Sequence, residues 1–388
     1  MVRLIALSIS LASSLLLASN ALAQTVKIGL IGTYSGVMAA YGEQVDRAVK
    51  LYMKQNADKL PLGVKVELLV RDDDGPLPEK AKSIAQELIV RDHVQLLTGM
   101  IWSPNTMAIA PLATEAKIPI VVMNAAASGL TTRSPYIVRF SFTEFQHAYT
   151  IGRWAARKYR RASLLTADFV SGHDAEDAFS KGFTEGGGEI VGKVRAPLNS
   201  LNYAPYLQRI KDARPDVLYG YVQAGPPATA LIKAYADLGL EKAGVKLIGT
   251  GTITADEELH NMGEAALGVV TAYHYTATSD RPANKSFTAA LAKEYGEIFI
   301  PTEMTVAAWD AMDAIYGAIR AQNGRIDPEK TMQILSNYKS ANSPRGPIAI
   351  DPETRDVVHN EYIREVRRVG GRIVNVEIET IPNVKANK

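Results

Sequence analysis

Cysteine is missing altogether from the 388 residues. That excludes a disulfide scaffold, a zinc cluster of the cysteine type, a thiol nucleophile and a lipid-bearing N-terminal cysteine. Charge of one sign is not concentrated anywhere: 43 Lys and Arg face 41 Asp and Glu without a basic block, so neither nucleic acid nor an anionic membrane surface is indicated as a partner. The six histidines stand apart, and no pair has the i, i+4 spacing of a helical metal site, so no metal is expected. Also absent are G-x-G-x-x-G after a strand, G-x-x-x-x-G-K-[ST] and G-x-S-x-G, which removes the usual signatures of nucleotide cofactors and of acyl hydrolysis. No cofactor and no catalytic residue is expected. Two partial matches read as structure. Asp72-Asp73-Asp74-Gly75 lacks the spacing and closing Glu of a calcium loop, and Gly186-Gly187-Gly188 sits between a helix and a strand, as a helix-ending turn does.

Long apolar runs are limited to one, from Leu4 to about Ala18. Preceded by Arg3 and followed by Ala21-Leu22-Ala23, it predicts a secretory signal peptide over 1–23. The run is shorter than the ~20 residues that span a bilayer, so a soluble mature chain starting at Gln24 is expected. With no cysteine to carry a lipid tether, release into a Gram-negative periplasm is favoured.

What is present is ordinary globular composition, 47% hydrophobic and 22% charged. The length exceeds the ~250–300 residues at which one core gives way to several, so two domains are expected. From Thr25 short apolar runs alternate with longer amphipathic ones: VKIGLIG, 42–56, VKVELLVRDD, 78–91, VQLLTG, 105–116, IPIVVM. A second series follows Arg139: 146–158, RASLLTAD, 174–185, EIVGKVRA, 203–213, DVLYGYV, 226–238, VKLIGT. Near-continuous β-branched runs joined by helices predict parallel sheets covered on both faces. The fold class is therefore α/β, with two doubly wound lobes. Helices are expected again at 285–297 and 303–322, then a hairpin of EYIREVRRV and RIVNVEIETI turning at Gly370-Gly371.

Ligands of such sheets bind beyond the carboxyl ends of the strands. The turns there are 32–36, 99–103, 124–128, 168–172, 223–225 and 249–252. They share small residues, hydroxyls and helix starts with free N–H groups, which suit a carboxylate.

Four segments, VKIGLIGTYSGVMAAYGEQVDRAVKLYM, LLTGMIWSPNTMAIAPLATEAKIPIVVMNAAAS, SGHDAEDAFSKGF with GGEIVG, and NYAPYLQRIKDARPDVLYGYV, resemble the periplasmic solute-binding proteins of ABC importers, of the leucine/isoleucine/valine-binding type. The resemblance runs from Val26 to about Thr380. It implies a type I binding protein whose two lobes, joined by a three-crossing hinge, close on a small solute and deliver it to a membrane permease, with a monomer as the expected state. The crossings would fall near 140–144, 271–275 and 343–346. That gives 24–142 with 274–344 as the first lobe, 143–273 with 345–382 as the second, and 383–388 as a tail.

Carried over by position, the resemblance places the solute's carboxylate at Ser103, Ala126 and Ser128, in turns that also hold Asn124. Tyr41, Trp102 and Met304 would wall the pocket from the first lobe. Phe169, Ser171, Gln223, Ala224 and Thr252 would complete it from the second. His173 stands close to the same edge. One departure matters. Amino-acid binders of this family pair the substrate's ammonium with an acidic residue in the turn after VKLIGT, and here that turn, 249–253, has none. A buried ammonium without a counter-charge costs several kcal/mol. A carboxylate without an α-ammonium is therefore expected, and the aromatic residues favour an aromatic acid or an aryl 2-oxo acid. If Asp256 or Glu257 reached the cleft, a branched-chain amino acid would return as the ligand. An enzyme would need two carboxylates converging on the cleft with perturbed pKa values, and the strand-end turns supply only Asp168. A sensory receptor reading lobe closure is the third alternative.

Overall fold

In a computed structural model, residues 24–386 are described, and the expected signal peptide lies outside them. The chain opens with β1 (Gln24–Gly32), α1 (Ala39–Gln55), β2 (Val64–Asp72), α2 (Pro78–Val90), β3 (Leu96–Gly99), α3 (Ser103–Ala116), β4 (Ile120–Val122) and β5 (Ile137–Arg139). These strands form a parallel sheet in the order β2-β1-β3-β4-β5. Every residue of β3, β4 and β5 is buried, which is why they read as unbroken apolar runs rather than as alternation.

The second series is α4 (Glu144–Ala156), β6 (Arg161–Ala167), α5 (Val170–Glu185), β7 (Glu189–Ala196), α6 (Ala204–Ala213), β8 (Val217–Tyr221), α7 (Pro226–Asp237), β9 (Lys246–Thr250), α8 (Leu259–Met262) and β10 (Val270–Tyr273). Then follow α9 (Pro282–Tyr295), α10 (Glu303–Ala321), α11 (Pro328–Ser336), β11 (Lys339–Ser340), β12 (Ile348–Ile350), β13 (Val357–Val369) and β14 (Arg372–Val384). The parallel strands β7-β6-β8-β9-β10 are extended by β13 and β14, both antiparallel to their neighbours. The expected terminal hairpin is these last two, and β14 carries on to Val384, into the expected tail.

The cores define two lobes. Residues of α10 and α11, with Ile348, Ile350 and Val357, pack with β1 and β3–β5 in one core. Ile363 and Val366 belong to the two cores that cover the second sheet. The third passage between lobes therefore follows Val357 and lies within β13, later than the expected 343–346. That stretch is instead packed on the first passage: Arg345 donates to Ser141 O at 2.8 Å and to Phe140 O, and pairs with Asp310 at 2.9 Å.

Three histidines near the passages, His147 of α4, His274 and His359 of β13, form one buried cluster. His147 donates or accepts at Glu361 Oε1 (2.8 Å) and at His274 (3.3 Å), and His359 lies 5.0 Å from the His274 ring. Burial holds His147 and His274 well below the ordinary histidine range and brings His359 down to about 3.

Helices α4 and α5 nearly touch. A Cβ on Gly182 would come within 2.4 Å of Tyr149 O, and one on Gly152 within 2.7 Å of Phe179 O. Only glycine permits that approach, and it fixes the starts of the two helices, Glu144 and Val170, relative to each other.

Candidate functional site

Two helix N-termini meet between the lobes. Helix α3 leaves the carboxyl end of β3 and α5 leaves that of β6. Both cap positions, Trp102 and Phe169, have extended backbone and no capping side chain, and neither helix has an acidic residue in its first turn. Their N–H groups and dipoles are thus left for an anion. Ser103 Oγ accepts the Ala127 N–H at 3.0 Å and stands 3.5 Å from Ser171 Oγ of the other lobe. With its acceptor side occupied, the Ser103 hydroxyl can still donate.

The turn that supplies Ala127 is clamped from beneath. Arg139, fully buried, donates to Ala125 O (3.0 Å) and Ala127 O (2.8 Å), and its Nε pairs with Asp356 at 2.7 Å.

Around this point lies a cavity with ≈ 50 Å³ open to the centre of a water-sized sphere. Eleven of the twelve residues singled out above line it: Tyr41, Trp102, Ser103, Asn124, Ala126 and Met304 from the first lobe, Phe169, Ser171, Gln223, Ala224 and Thr252 from the second. Trp102 stacks on Tyr41 with centroids 5.9 Å apart, and Phe169 stacks on Tyr221 at 6.3 Å. The Tyr41 hydroxyl reaches across to Ala224 O at 3.4 Å. Each lobe thus brings one pair of rings, and Phe142 also lines the cavity.

Ser128 is the exception and requires a correction. It lies outside the lining, and its N–H donates to Asp174 Oδ2 of the second lobe at 2.7 Å. The N–H expected to hold the solute's carboxylate is held by a protein carboxylate. His173 is also off the cavity, at 2.7 Å from Asp168 Oδ1.

Five further lining residues are ones the sequence reading did not single out: Ile101, within the 99–103 turn, Phe142 and Glu144, within the expected first crossing, Tyr221 and Glu303. The two glutamates change the electrostatics. The 249–253 turn does lack an acid, but carboxyl groups reach the cavity from the starts of α4 and α10. Glu144 is 2% exposed and its Oε1 accepts the Tyr221 hydroxyl at 2.9 Å. Burial pushes its pKa up to about 8, against the opposing effects of Tyr221 and Arg139. Burial also raises Glu303. Glu257 lies behind the lining, and burial, then the nearby Glu303, raises it well above the carboxyl range. Asp256 is off the cavity, accepting from Asn375 Nδ2 at 2.7 Å and from the Ala277 N–H at 3.1 Å. No Lys, Arg or His is among the described lining residues.

Comparison with known proteins agrees with this architecture. A family model described as "Periplasmic binding protein" matches residues 25–371. The chain is 38% identical over 381 residues to Leu/Ile/Val-binding protein homolog 6 of Brucella melitensis, covering 96% of each. A solute-binding protein of an ABC transporter from Rhodopseudomonas palustris BisB5, solved with 3,4-dihydroxybenzoic acid, superposes with a TM-score of 0.88 at 43% identity, over 93% of this chain and 98% of that one. Another from R. palustris, solved with 4-hydroxybenzoate, gives 0.89 at 41% identity, over the same shares. From its lobes to its helix-lined cleft, this chain belongs to the periplasmic binding protein family.

Proposed function

We propose that the protein captures an aromatic carboxylate between its lobes and delivers it to the permease of an ABC importer. The observation that carries this reading is the meeting of two uncapped helix N-termini, at Ser103 and Ser171, within a cavity walled by five aromatic rings. The carboxylate would sit between the helices and the ring between the stacked pairs. The aromatic acids bound by the two R. palustris proteins support it. In this reading the protein works as a periplasmic monomer, without nucleic acid or cofactor.

Glu144 and Glu303 give the branched-chain amino acid reading its footing, since a carboxylate could pair with an ammonium. Burial, however, favours the uncharged form of Glu144, and that preference works against an ammonium partner. The same pair meets the condition set for an acid–base enzyme, so binding assays should include recovery of the ligand, which is expected back unchanged.

The test is a thermal-shift screen of the mature protein against benzoates, aryl 2-oxo acids and leucine. A ligand at ~100 times its Kd stabilises by ~2.7 kcal/mol. Shifts with ring-bearing acids are expected, and shifts with leucine alone would end the proposal. In calorimetric titrations with the best ligand, Ser103→Ala should weaken binding by about 1.5–3 kcal/mol, the range for a hydrogen bond to a charged group. Ser128→Ala should change it by less than ~0.5 kcal/mol, as for substitutions away from a site.

Binding should also depend on pH through Glu144. Its protonated form is favoured in the closed cavity up to pH of about 8. Above that, ionisation places a second buried negative charge in the cavity that holds the ligand's carboxylate. Affinity is expected to fall as the pH rises through this value, and Glu144→Gln should flatten the profile. A wild-type profile already flat on both sides of pH 8 would rule out Glu144 as the titrating group.

A further inference from the structure

We infer that the cavity is built for a ring that carries a hydroxyl group as well as its carboxylate, and that Glu144 is the residue that reads the hydroxyl. The inference rests on the aromatic-acid reading and narrows it. The polar atoms of the cavity wall that are buried without a hydrogen-bond partner are oxygens: Glu144 Oε2 and Gln223 Oε1. Both side chains are at least nine-tenths buried, at 2% and 5% exposed. Glu144 is held in place on both sides. Its N–H donates to Ala126 O at 3.1 Å, and its Oε1 takes the Tyr221 hydroxyl, leaving Oε2 as the free end.

An unsubstituted benzoate would cover these atoms with carbon and leave them unpaired. A hydroxyl group both donates and accepts, so it suits Oε2 whether that oxygen carries a proton or not. A site built around such a partner rejects the analogue lacking it, because the protein group is then stranded. An ammonium at Oε2 would suit only an ionised Glu144; Glu303, the other carboxyl group that lines the cavity, is likewise held toward its neutral form by burial. The Tyr221 ring, stacked on Phe169, places the carboxyl beside an aromatic wall, where a ring substituent would arrive.

The test compares affinities of the unaltered protein for benzoate, 3-hydroxybenzoate, 4-hydroxybenzoate and 3,4-dihydroxybenzoate by calorimetry near neutral pH. At least one hydroxy acid is expected to bind tenfold or more tightly than benzoate. In Glu144→Leu that ratio should collapse to within about threefold of one. A ratio near one in the unaltered protein, or one that survives in Glu144→Leu, overturns the inference. The first of these results needs no variant to fold. If benzoate and the hydroxy acids bind equally well, the hydroxyl reading falls while the aromatic-acid reading stands. If none of them binds and leucine does, both fall together.

Discussion

Asp356→Ala is expected to remove about 3–5 kcal/mol of stability, the usual cost of stranding one partner of a buried ion pair, and to weaken ligand binding with it. Arg139 is wholly buried and Asp356 is 3% exposed, so water cannot replace the lost carboxylate. For a lobe of 150–250 residues each kcal/mol moves Tm by ~2–4 °C, which makes the expected shift roughly 6–20 °C. The binding defect follows from the other end of the same guanidinium. Arg139 Nη1 holds Ala125 O and Ala127 O, and the Ala127 N–H orients the Ser103 hydroxyl. A released Arg139 no longer fixes that turn. Replacing the pair together, Arg139→Met with Asp356→Leu, should recover much of the stability, as apolar substitutes for buried pairs do, yet leave binding weak because the carbonyl clamp is gone. Calorimetric melting and ligand titration on both variants separate the two effects. A melting temperature unchanged in Asp356→Ala would show that the pair contributes nothing.

The second large effect is expected at Trp102, where truncation to alanine should cost about 3–5 kcal/mol. The indole is 5% exposed, packs on Tyr41 and donates from Nε1 to Thr33 Oγ1 at 2.8 Å. Thr33 in turn donates to Asp73 Oδ1 at 2.7 Å, and Asn105 Nδ2 to Asp73 Oδ2 at 2.8 Å. The chain of bonds ties the cavity wall to the ends of β1 and β2. Trp102→Phe keeps most of the apolar contact and removes only the first bond, so a loss of about 1 kcal/mol is expected. Affinity for aromatic acids should fall in the alanine variant by more than affinity for aliphatic acids. An equal fall in both would assign the ring to the core alone.

Sequence reading located most of the cavity because topology constrains it. In a doubly wound lobe the turns after the strands must face one crevice, which marks out the turns holding Ser103, Ala126, Phe169, Ser171 and Gln223; the family resemblance singled out those residues within them. Glu144 and Glu303 were not marked out in this way. Each opens a helix after a Thr cap, where an acid already has a local reason to be, the helix dipole. That these side chains face the cavity depends on tertiary neighbours distant in sequence, such as Tyr221 on Glu144. Tyr221, by contrast, ends β8 (Val217–Tyr221), and strand-end logic could have included it. Ser128 failed for a tertiary reason, since its partner Asp174 comes from the other lobe. Helix α11 has a cap, Asp327, and a Pro start, Pro328, but its nine residues are too few for a clear period. The late third passage had no composition shift to mark it, being the interior of one long strand, β13.

The three passages also bear on affinity. Because the chain crosses between lobes three times, the last within β13, the second lobe is itself a tethered binding partner. A ligand seated on the α3 terminus meets Ser171 and the Phe169 ring not as a second encounter in solution but at an effective concentration of millimolar order or higher, as for modules joined by short links. Contacts from that lobe too weak to hold an aromatic acid by themselves can then multiply the grip of the first.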